Sequence, residues 1–559
     1  MQVALRDAVQ KWELMSTRLA DTLTDYLDAC ATLESSATEI HPDNNIIVPK
    51  LNLALETLYA HLTQQVLQSR SLVARTRNKL AITIYRIPDE VLSNIFSLLI
   101  YSTNREQALL PESSVWQIYR RLYSLMSVCS DWRRLCLSRG MYWSLIPMRR
   151  YKSDSSEWDH INRILERSQG SNLYLGGILG SDPDSALALQ NTLVRHGPRF
   201  RSLNIAGKNC DMLRGAAKSL LDQKHLTDFS ICYLTEEATE YLFPLESPEY
   251  ASFKRHARTL KSLRLCGLDL DWGNIRLDSL TELKIQNLKP QRRYKIKDLL
   301  MAAASAPHLR HLHLSRVSHT QEVISIPPSE EPSVPPIMLP SLQTIYLENI
   351  HKDLVVALLR LIAPGSYKTE LHFTRASNFY AGDAFNHNWA RGLNIDTLMI
   401  TDWLIDGHHL QRFLKTMPTI TTLYIANRIL EEETFRALAR PIKSSPAGSD
   451  SGFPKLRALY INNSVLCISK ESKLASFKEV ITSHEIQELG IDGVMELPRG
   501  SNPESTGRFR FNLPDDDQHT APIKEWLTNN VRKFIIPKTP EDMPYFDFQT
   551  CFWRLWHRG

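Results

Sequence analysis

Apolar residues recur along the chain at several periods, and each period predicts a different element. Leu5, Val9, Trp12, Ser16, Leu19, Leu23, Tyr26, Cys30 and Leu33 alternate by four and three, the 3.5-residue seam of a coiled coil. A helix of about thirty residues follows. The polar stretch 34–45 and Ile46-Ile47-Val48-Pro49 are expected to break it, the latter as extended chain, because a residue before proline is pushed away from helical geometry. A second helix is predicted from Leu51 to Leu80, with Leu55, Leu58, Leu62, Val66, Val73 and Leu80 inward and Arg70, Arg75, Arg77 and Lys79 outward as a solvated basic face. Two arrangements satisfy this arm: an antiparallel hairpin within one chain, which the short connection favours, or a coiled coil between two chains.

From residue 84 to 146 the spacing changes. Pro88 stands where proline is tolerated, in the first turn of a helix, and Asp89 and Glu90 put negative charge at that helix's positive end. Val91, Leu92, Ile95, Phe96, Leu98 and Leu99 then form a broad apolar stripe. A second helical stretch, Trp116 to Leu137, carries Ile118, Leu122, Leu125, Met126, Cys129, Trp132 and Leu135 or Cys136 on a recurring face. Helices this short need each other and a partner surface to bury such faces.

From Leu173 onward a strand of the form L-x-x-L-x-L alternates with a helical stretch. The strand set includes Phe200/Leu203/Ile205, Leu226/Phe229/Ile231, Leu260/Leu263/Leu265, Leu280/Leu283/Ile285, Leu309/Leu312/Leu314 and Leu342/Ile345/Leu347. It continues through Leu371/Phe373, Ile395/Leu398/Ile400, Ile420/Leu423/Ile425, Leu456/Leu459/Ile461, Ile486/Leu489/Ile491 and a weaker Val531/Phe534. Pro307, Pro364 and Pro418 end intervening helices. This is a leucine-rich-repeat pattern: one strand and helix cannot bury their apolar faces, whereas stacked units share a continuous core and a parallel sheet. The spacing is irregular, 20 residues from Leu260 to Leu280 but 45 from Ile486 to Val531. Where many such repeats place an asparagine, eight residues after the first leucine, this chain has Leu268, Leu288, Val317 and Ile350. The turns must then satisfy their backbone groups otherwise, and an uneven arc is expected. An open doubly wound sheet is the rival fold, but no G-x-G-x-x-G or Walker-type loop follows any strand. Segments 326–340, 441–454 and 497–522 are expected to project as loops.

The segment from Ile84 to Ile146 resembles an F-box, with Ile87, Pro88, Glu90, Val91, Leu92, Ile95 and Phe96 on the first half of that motif, Val128, Cys129 and Trp132 on the second and Trp143 at its last position. The polar insertion Tyr101-Ser-Thr-Asn-Arg-Glu-Gln lengthens the gap between the halves. The resemblance implies docking on the Skp-type adaptor of a cullin ubiquitin ligase, through Ile87, Pro88, Glu90, Val91, Leu92, Ile95, Phe96, Leu99, Val128 and Trp132. Arm, F-box and repeats in that order resemble the F-box proteins with leucine-rich repeats that are numerous in basidiomycete fungi. The fold class expected is α/β: a helical arm (1–82), an all-α F-box (83–147) and an irregular leucine-rich-repeat solenoid with a parallel sheet (148–559).

Composition changes little. A net charge of +5 with 43% hydrophobic residues is ordinary globular composition and argues neither for nucleic acid nor for a membrane surface. The eight cysteines lack any C-x-x-C pair and read as reduced, which suits a cytosolic or nuclear protein. No charged-then-apolar leader and no membrane-length apolar run occur in the sequence. His308, His311 and His313 lack a nearby carboxylate or cysteine to complete a metal set, and His408-His409 read as a solvated pair. No G-x-S-x-G, H-E-x-x-H or kinase set is present, so neither catalysis nor a cofactor is expected.

Protein recognition is what remains. The x positions of the repeats collect Lys261, Arg264, Lys284, Arg310 and His311 against Glu282, a mild basic bias suited to an acidic or phosphorylated ligand. Two aromatic concentrations, Phe373 to Trp389 (with Tyr380) and Tyr545 to Trp556, fit either an interface or packing, the second as the cap a repeat stack needs. Arg264, Lys284, Arg310, His311, Tyr380 and Trp389 are therefore the candidate target contacts. The resemblance implies a non-catalytic substrate receptor, adaptor and cullin on one side and an unidentified target on the other. Two further readings stay open: a repeat scaffold that uses the adaptor without ubiquitin transfer, and a scaffold whose F-box-like helices merely cap the first repeats, their stripe covered.

Overall fold

The fold is that of a computed structural model, which describes residues 2–37, 44–81, 84, 87–102, 111–148, 155–180, 182–221, 223, 225–234, 240–288, 296–317, 336–374, 390–391, 393–402, 406–441, 452–499, 502–510 and 517–537. Tyr380, Trp389 and the aromatic run Tyr545 to Trp556 lie outside the described residues. The chain divides into two compact units, Met1–Leu92 and Ser93–Gly559.

In the first unit, α1 (Gln2–Ser36) realises the heptad pattern. α2 (Asn44–Leu53), a π-helical turn (Ala54–Leu58) and α3 (Tyr59–Ala81) follow without a break. The expected extended run Ile46–Pro49 is helical instead, with Pro49 inside α2. The preference of a pre-proline residue for extended geometry is a bias, and proline-containing helices are its known exception. Tyr59 lies close enough to Tyr26 to push its hydroxyl up to about 12, so the two long helices meet within the chain.

The unit boundary falls inside α4 (Asp89–Tyr101), whose first turn carries Asp89 and Glu90. The expected single stretch from Trp116 to Leu137 is two helices, α5 (Pro111–Val128) and α6 (Ser130–Ser138). Cys129 between them is extended, and its sulfur caps α6 by accepting from the Trp132 N–H at 3.5 Å. A capping side chain outcompetes the apolar period at this point.

A large, mostly parallel sheet of sixteen strands, counted among the described residues, organises the rest. Its first members are β1 (Leu145–Met148), β2 (Leu173–Leu179), β3 (Phe200–Gly207) and β4 (Asp228–Tyr233). The short β5 (Glu240–Tyr241) pairs off the sheet with β7 (Leu268–Asp269), flanking β6 (Ser262–Cys266). Then come β8 (Glu282–Gln286), β9 (His311–Ser315), β10 (Thr344–Glu348), β11 (Lys368–Thr374), β12 (Thr397–Thr401) and β13 (Thr422–Ala426). The last are β14 (Ile429–Leu430), β15 (Ala458–Cys467), β16 (Glu488–Arg499), β17 (Asn502–Arg510) and β18 (Lys533–Ile535). Strands neighbour one another in chain order, each parallel to the last, until β17 turns back antiparallel on β16. The strand leucines are buried, and phenylalanines on the intervening helices close the core: Phe229 meets Phe253 at 5.6 Å, Phe373 meets Phe413 at 5.8 Å and Phe435 meets Phe477 at 5.3 Å.

Segment 497–522 corrects the sequence reading. Its described residues form the end of β16, β17 and part of a helix over Asp517–Asn530, where projecting loops were expected. Met495, Leu497 and Phe509 are buried and Arg508 pairs with Glu496 at 3.1 Å, an alternation that Gly507-Arg508-Phe509-Arg510 already carried at period two. In the other two expected loops, 318–335 and 442–451 lie outside the described residues; Ile337 bridges Ile362, and Phe453 is buried.

The turns after the strands solve the missing-asparagine problem one residue earlier. Gly267, Asn287, Arg316, Asn349, Asp402 and Asn427 each follow a five-residue strand with φ between 50° and 69°. Each donates its N–H to the next strand: to the carbonyls of Gln286 (2.9 Å), Ser315 (3.0 Å), Glu348 (2.8 Å), His372 (3.1 Å), Ala426 (3.2 Å) and Asn462 (3.1 Å). The left-handed step then buries Leu268, Leu288, Val317 and Ile350. Asparagine suits it, because its short amide tolerates that conformation and bonds locally: Asn349 Oδ1 accepts from the Thr374 N–H at 3.0 Å and its Nδ2 donates to Thr374 Oγ1 at 2.7 Å. Asn349→Ala is expected to cost about 1–3 kcal/mol, and Asn349→Gly less, since glycine keeps the backbone geometry. Urea unfolding of the two variants checks the order.

Candidate docking surface

α4 is apolar on both sides. Its buried side consists of Leu92, Ser93, Phe96, Ser97, Ile100 and Tyr101. Phe96 meets the Trp132 ring edge-on at 4.7 Å. Tyr142 donates its hydroxyl to the Ser93 carbonyl at 2.7 Å, and Tyr101 donates to the Met141 carbonyl at 2.6 Å. The 3-10 turn Gly140–Trp143 that supplies Tyr142 is anchored by Trp143, whose Nε1 donates to the Cys136 carbonyl at 2.9 Å. Tyr119 on α5 reaches the Leu145 carbonyl, tying the helices to the first strand.

The opposite side of α4 is solvent-facing: Val91 is 48% exposed, Ile95 38%, Leu98 66% and Leu99 49%. They recur at spacings of four, three and one, one stripe along three turns. The structure thus divides the stripe read from sequence. Leu92 and Phe96 are buried, while Val91, Ile95, Leu98 and Leu99 are presented to solvent. Pro88 and Glu90 are exposed and Ile87 is half-buried. Val128, in the last turn of α5, is 59% exposed. Trp132 is half-buried with its ring on Phe96, so it supports the helix rather than facing away from it. Leu98, the most exposed of the stripe, belongs to the apolar stripe read from the sequence but not to the positions that match the motif; its three-residue advance on Ile95 places it on the same side of the helix. Along α5, Trp116, Tyr119, Arg120, Tyr123 and Ser127 line an open groove of about 660 Å³.

The second candidate surface is the sheet face carrying the x positions. Arg264, Lys284, His313, Tyr346 and Glu370 are successive register partners, as are Cys266, Gln286, Ser315, Glu348 and His372. The basic bias is balanced on the spot: Arg264 pairs with Glu282 at 2.7 Å, and Glu282 also accepts from Ser262 at 3.1 Å. Burial holds the Lys284 amine below its usual range, and Arg264 adds to this, against the pull of Glu282 and Glu348. Glu348 is itself buried and accepts from Ser315 at 2.8 Å. His372 bridges Tyr346 (2.8 Å) and Thr401 (2.9 Å), and burial pushes it down to about 4, so it is neutral at physiological pH. Tyr346, Met399, Tyr424 and Tyr460 extend this face as a buried apolar cluster of three tyrosines and a methionine. Arg310 and His311 stay exposed at its rim, with His311 Nδ1 2.9 Å from Thr344 Oγ1. Glu348, Glu370 and His372 were missed in sequence although they occupy the same alternate positions on the next two strands, β10 and β11.

Among the described residues, no three of His, Cys, Asp and Glu stand together as a metal set, and no helix is long and apolar enough to cross a membrane. His409 lies 2.5 Å from Asp406, the residue that caps its helix. No protein-family model matches the sequence, and a search of curated proteins returns no match.

Proposed function

We propose that the chain is a non-catalytic substrate receptor of a cullin ubiquitin ligase, with α4 docking a Skp-type adaptor and the parallel-sheet region acting as a leucine-rich-repeat solenoid that holds a target protein. The observation that carries this reading is the pair of apolar faces on α4. One face is used up in packing against Trp132 and Tyr142, which leaves Val91, Ile95, Leu98 and Leu99 as a surplus that only a partner would bury. A helix that served only to cap the first repeats would have one apolar face, not two. The register ladder from Arg264 to Glu370 supports a role for the sheet face in recognition, since Arg264 is held by Glu282 and Tyr346 by His372 before any ligand arrives. Tethering a target beside a ubiquitin-transferring core raises its effective concentration there, and no residue of this chain has to act on it.

Full-length chain immobilised with purified adaptor and cullin tests the assembly. Retention of both, with cullin retained only when adaptor is present, is expected. Retention of adaptor with cullin excluded would overturn the ligase assignment and leave an adaptor-bound scaffold.

A further inference from the structure

The heptad seam of α1 remains open in the folded chain. Leu5 is 45% exposed, Val9 40%, Trp12 52%, Leu19 54%, Leu23 40% and Leu33 45%, and α3 meets the seam at Tyr26 through Tyr59 without covering it. The exposed apolar residues of the seam follow a 3.5-residue period over most of a 35-residue helix that is exposed on nearly every side. An intact seam of that kind matches a second helix of similar pattern, and the identity of that helix can be read from the side chains.

We infer that the seam is an interface between two copies of this chain, with the α1 helices antiparallel. In that arrangement each core layer joins an a position of one helix to a d position of the other. Here the layers are Val9 with Leu33, Trp12 with Cys30, Ser16 with Tyr26, and Leu19 with Leu23, each occurring twice about the two-fold axis. The two largest seam residues fall opposite the two smallest, so layer volumes even out. Ser16 is fit for such a layer, because its hydroxyl is already bonded to the Trp12 carbonyl at 2.8 Å. In the same register Arg6 of one helix flanks Glu34 of the other at both ends, and Ala20 meets Ala20 at the centre. A parallel pair would stack Trp12 on Trp12 and Tyr26 on Tyr26 beside layers of paired Ser16 and paired Cys30, alternating crowding with voids. It would also leave Arg6, Glu13 and Glu34 facing only Ala8, Met15, Thr22 and Ala29 and their neighbours, without an ion pair. The charge pattern and the size pattern select the same orientation independently. This interface is separate from the α4 surface and does not depend on the adaptor reading.

Sedimentation equilibrium of the full-length chain across the micromolar range is the test. The native chain is expected to be dimeric, and Leu19→Asp/Leu23→Asp to raise the dissociation constant by more than about a hundredfold while circular dichroism shows helix content retained. Arg6→Glu is expected to weaken the dimer roughly tenfold and Arg6→Glu/Glu34→Arg to restore it. A monomeric native chain, or a dimer indifferent to the Leu19/Leu23 variant, would overturn the interface. A dimer unmoved by Arg6→Glu, or not rescued by the double exchange, would overturn the antiparallel register.

Discussion

Phe96→Ala is expected to destabilise the helical module by about 3–5 kcal/mol, the cost of removing a large buried aromatic and leaving a cavity. Phe96 is 1% exposed, stacks edge-on to Trp132 and lies on the same side of α4 as Ser93, which binds Tyr142. The loss should appear as a fall in the midpoint of thermal or urea unfolding, with any loss of partner binding following from loss of fold. Leu98→Asp, by contrast, changes an exposed position and should stay within about 0.5 kcal/mol of the native chain. The two variants therefore separate the buried side of α4 from its exposed side. A Phe96→Ala chain as stable as the native one would contradict the packing described.

The second large effect is electrostatic. Burial pushes the Glu370 carboxyl up from 4.5 to about 7, partly offset by Lys368 and reinforced by Asp396. The folded chain therefore holds that proton up to about pH 7 whereas the unfolded chain gives it up near 4.5, so between those values the native state binds more protons. Stability contributed at this site is full below about 4.5, falls as pH rises through the window and is lost above about 7, by about 3 kcal/mol in all. Glu370→Gln removes the titration. It is expected to raise the urea midpoint at pH 8 and to lose most of that advantage at pH 5. Asp269, held at about 7 by burial, acts in the same direction in both chains and cancels in the comparison. An advantage equal at both pH values would refute the assigned titration.

Much of the sheet was legible in the sequence because parallel strands buried on one face repeat their leucines at fixed positions: every strand named from L-x-x-L-x-L is a strand in the structure, from Leu203 in β3 to Phe534 in β18. What escaped was set by side chains acting locally or by pairing at a distance. Cys129 splits one apolar period into two helices by capping the second. β17 is held by its antiparallel partner β16, and the residues before it, rich in glycine, proline and serine, mask the alternation around Phe509. The left-handed asparagines 287, 349 and 427 sit one place before the position where repeats usually carry an amide, so a fixed template misses them although the chemistry is the same. In α4, periodicity found the apolar residues but not their sides. A helix apolar over more than half its circumference has no single inward direction until Trp132 and Tyr142 choose one.

The most direct test is the affinity of full-length chain for a purified Skp-type adaptor, measured by titration calorimetry for the native protein and for Leu98→Asp. Specific binding by the native chain is expected, weakened at least about a hundredfold by a carboxylate that would have to be buried in an apolar contact, with the unfolding midpoint unchanged. No binding by the native chain, or equal affinity for both, would contradict the assignment of the exposed face of α4 as the docking surface.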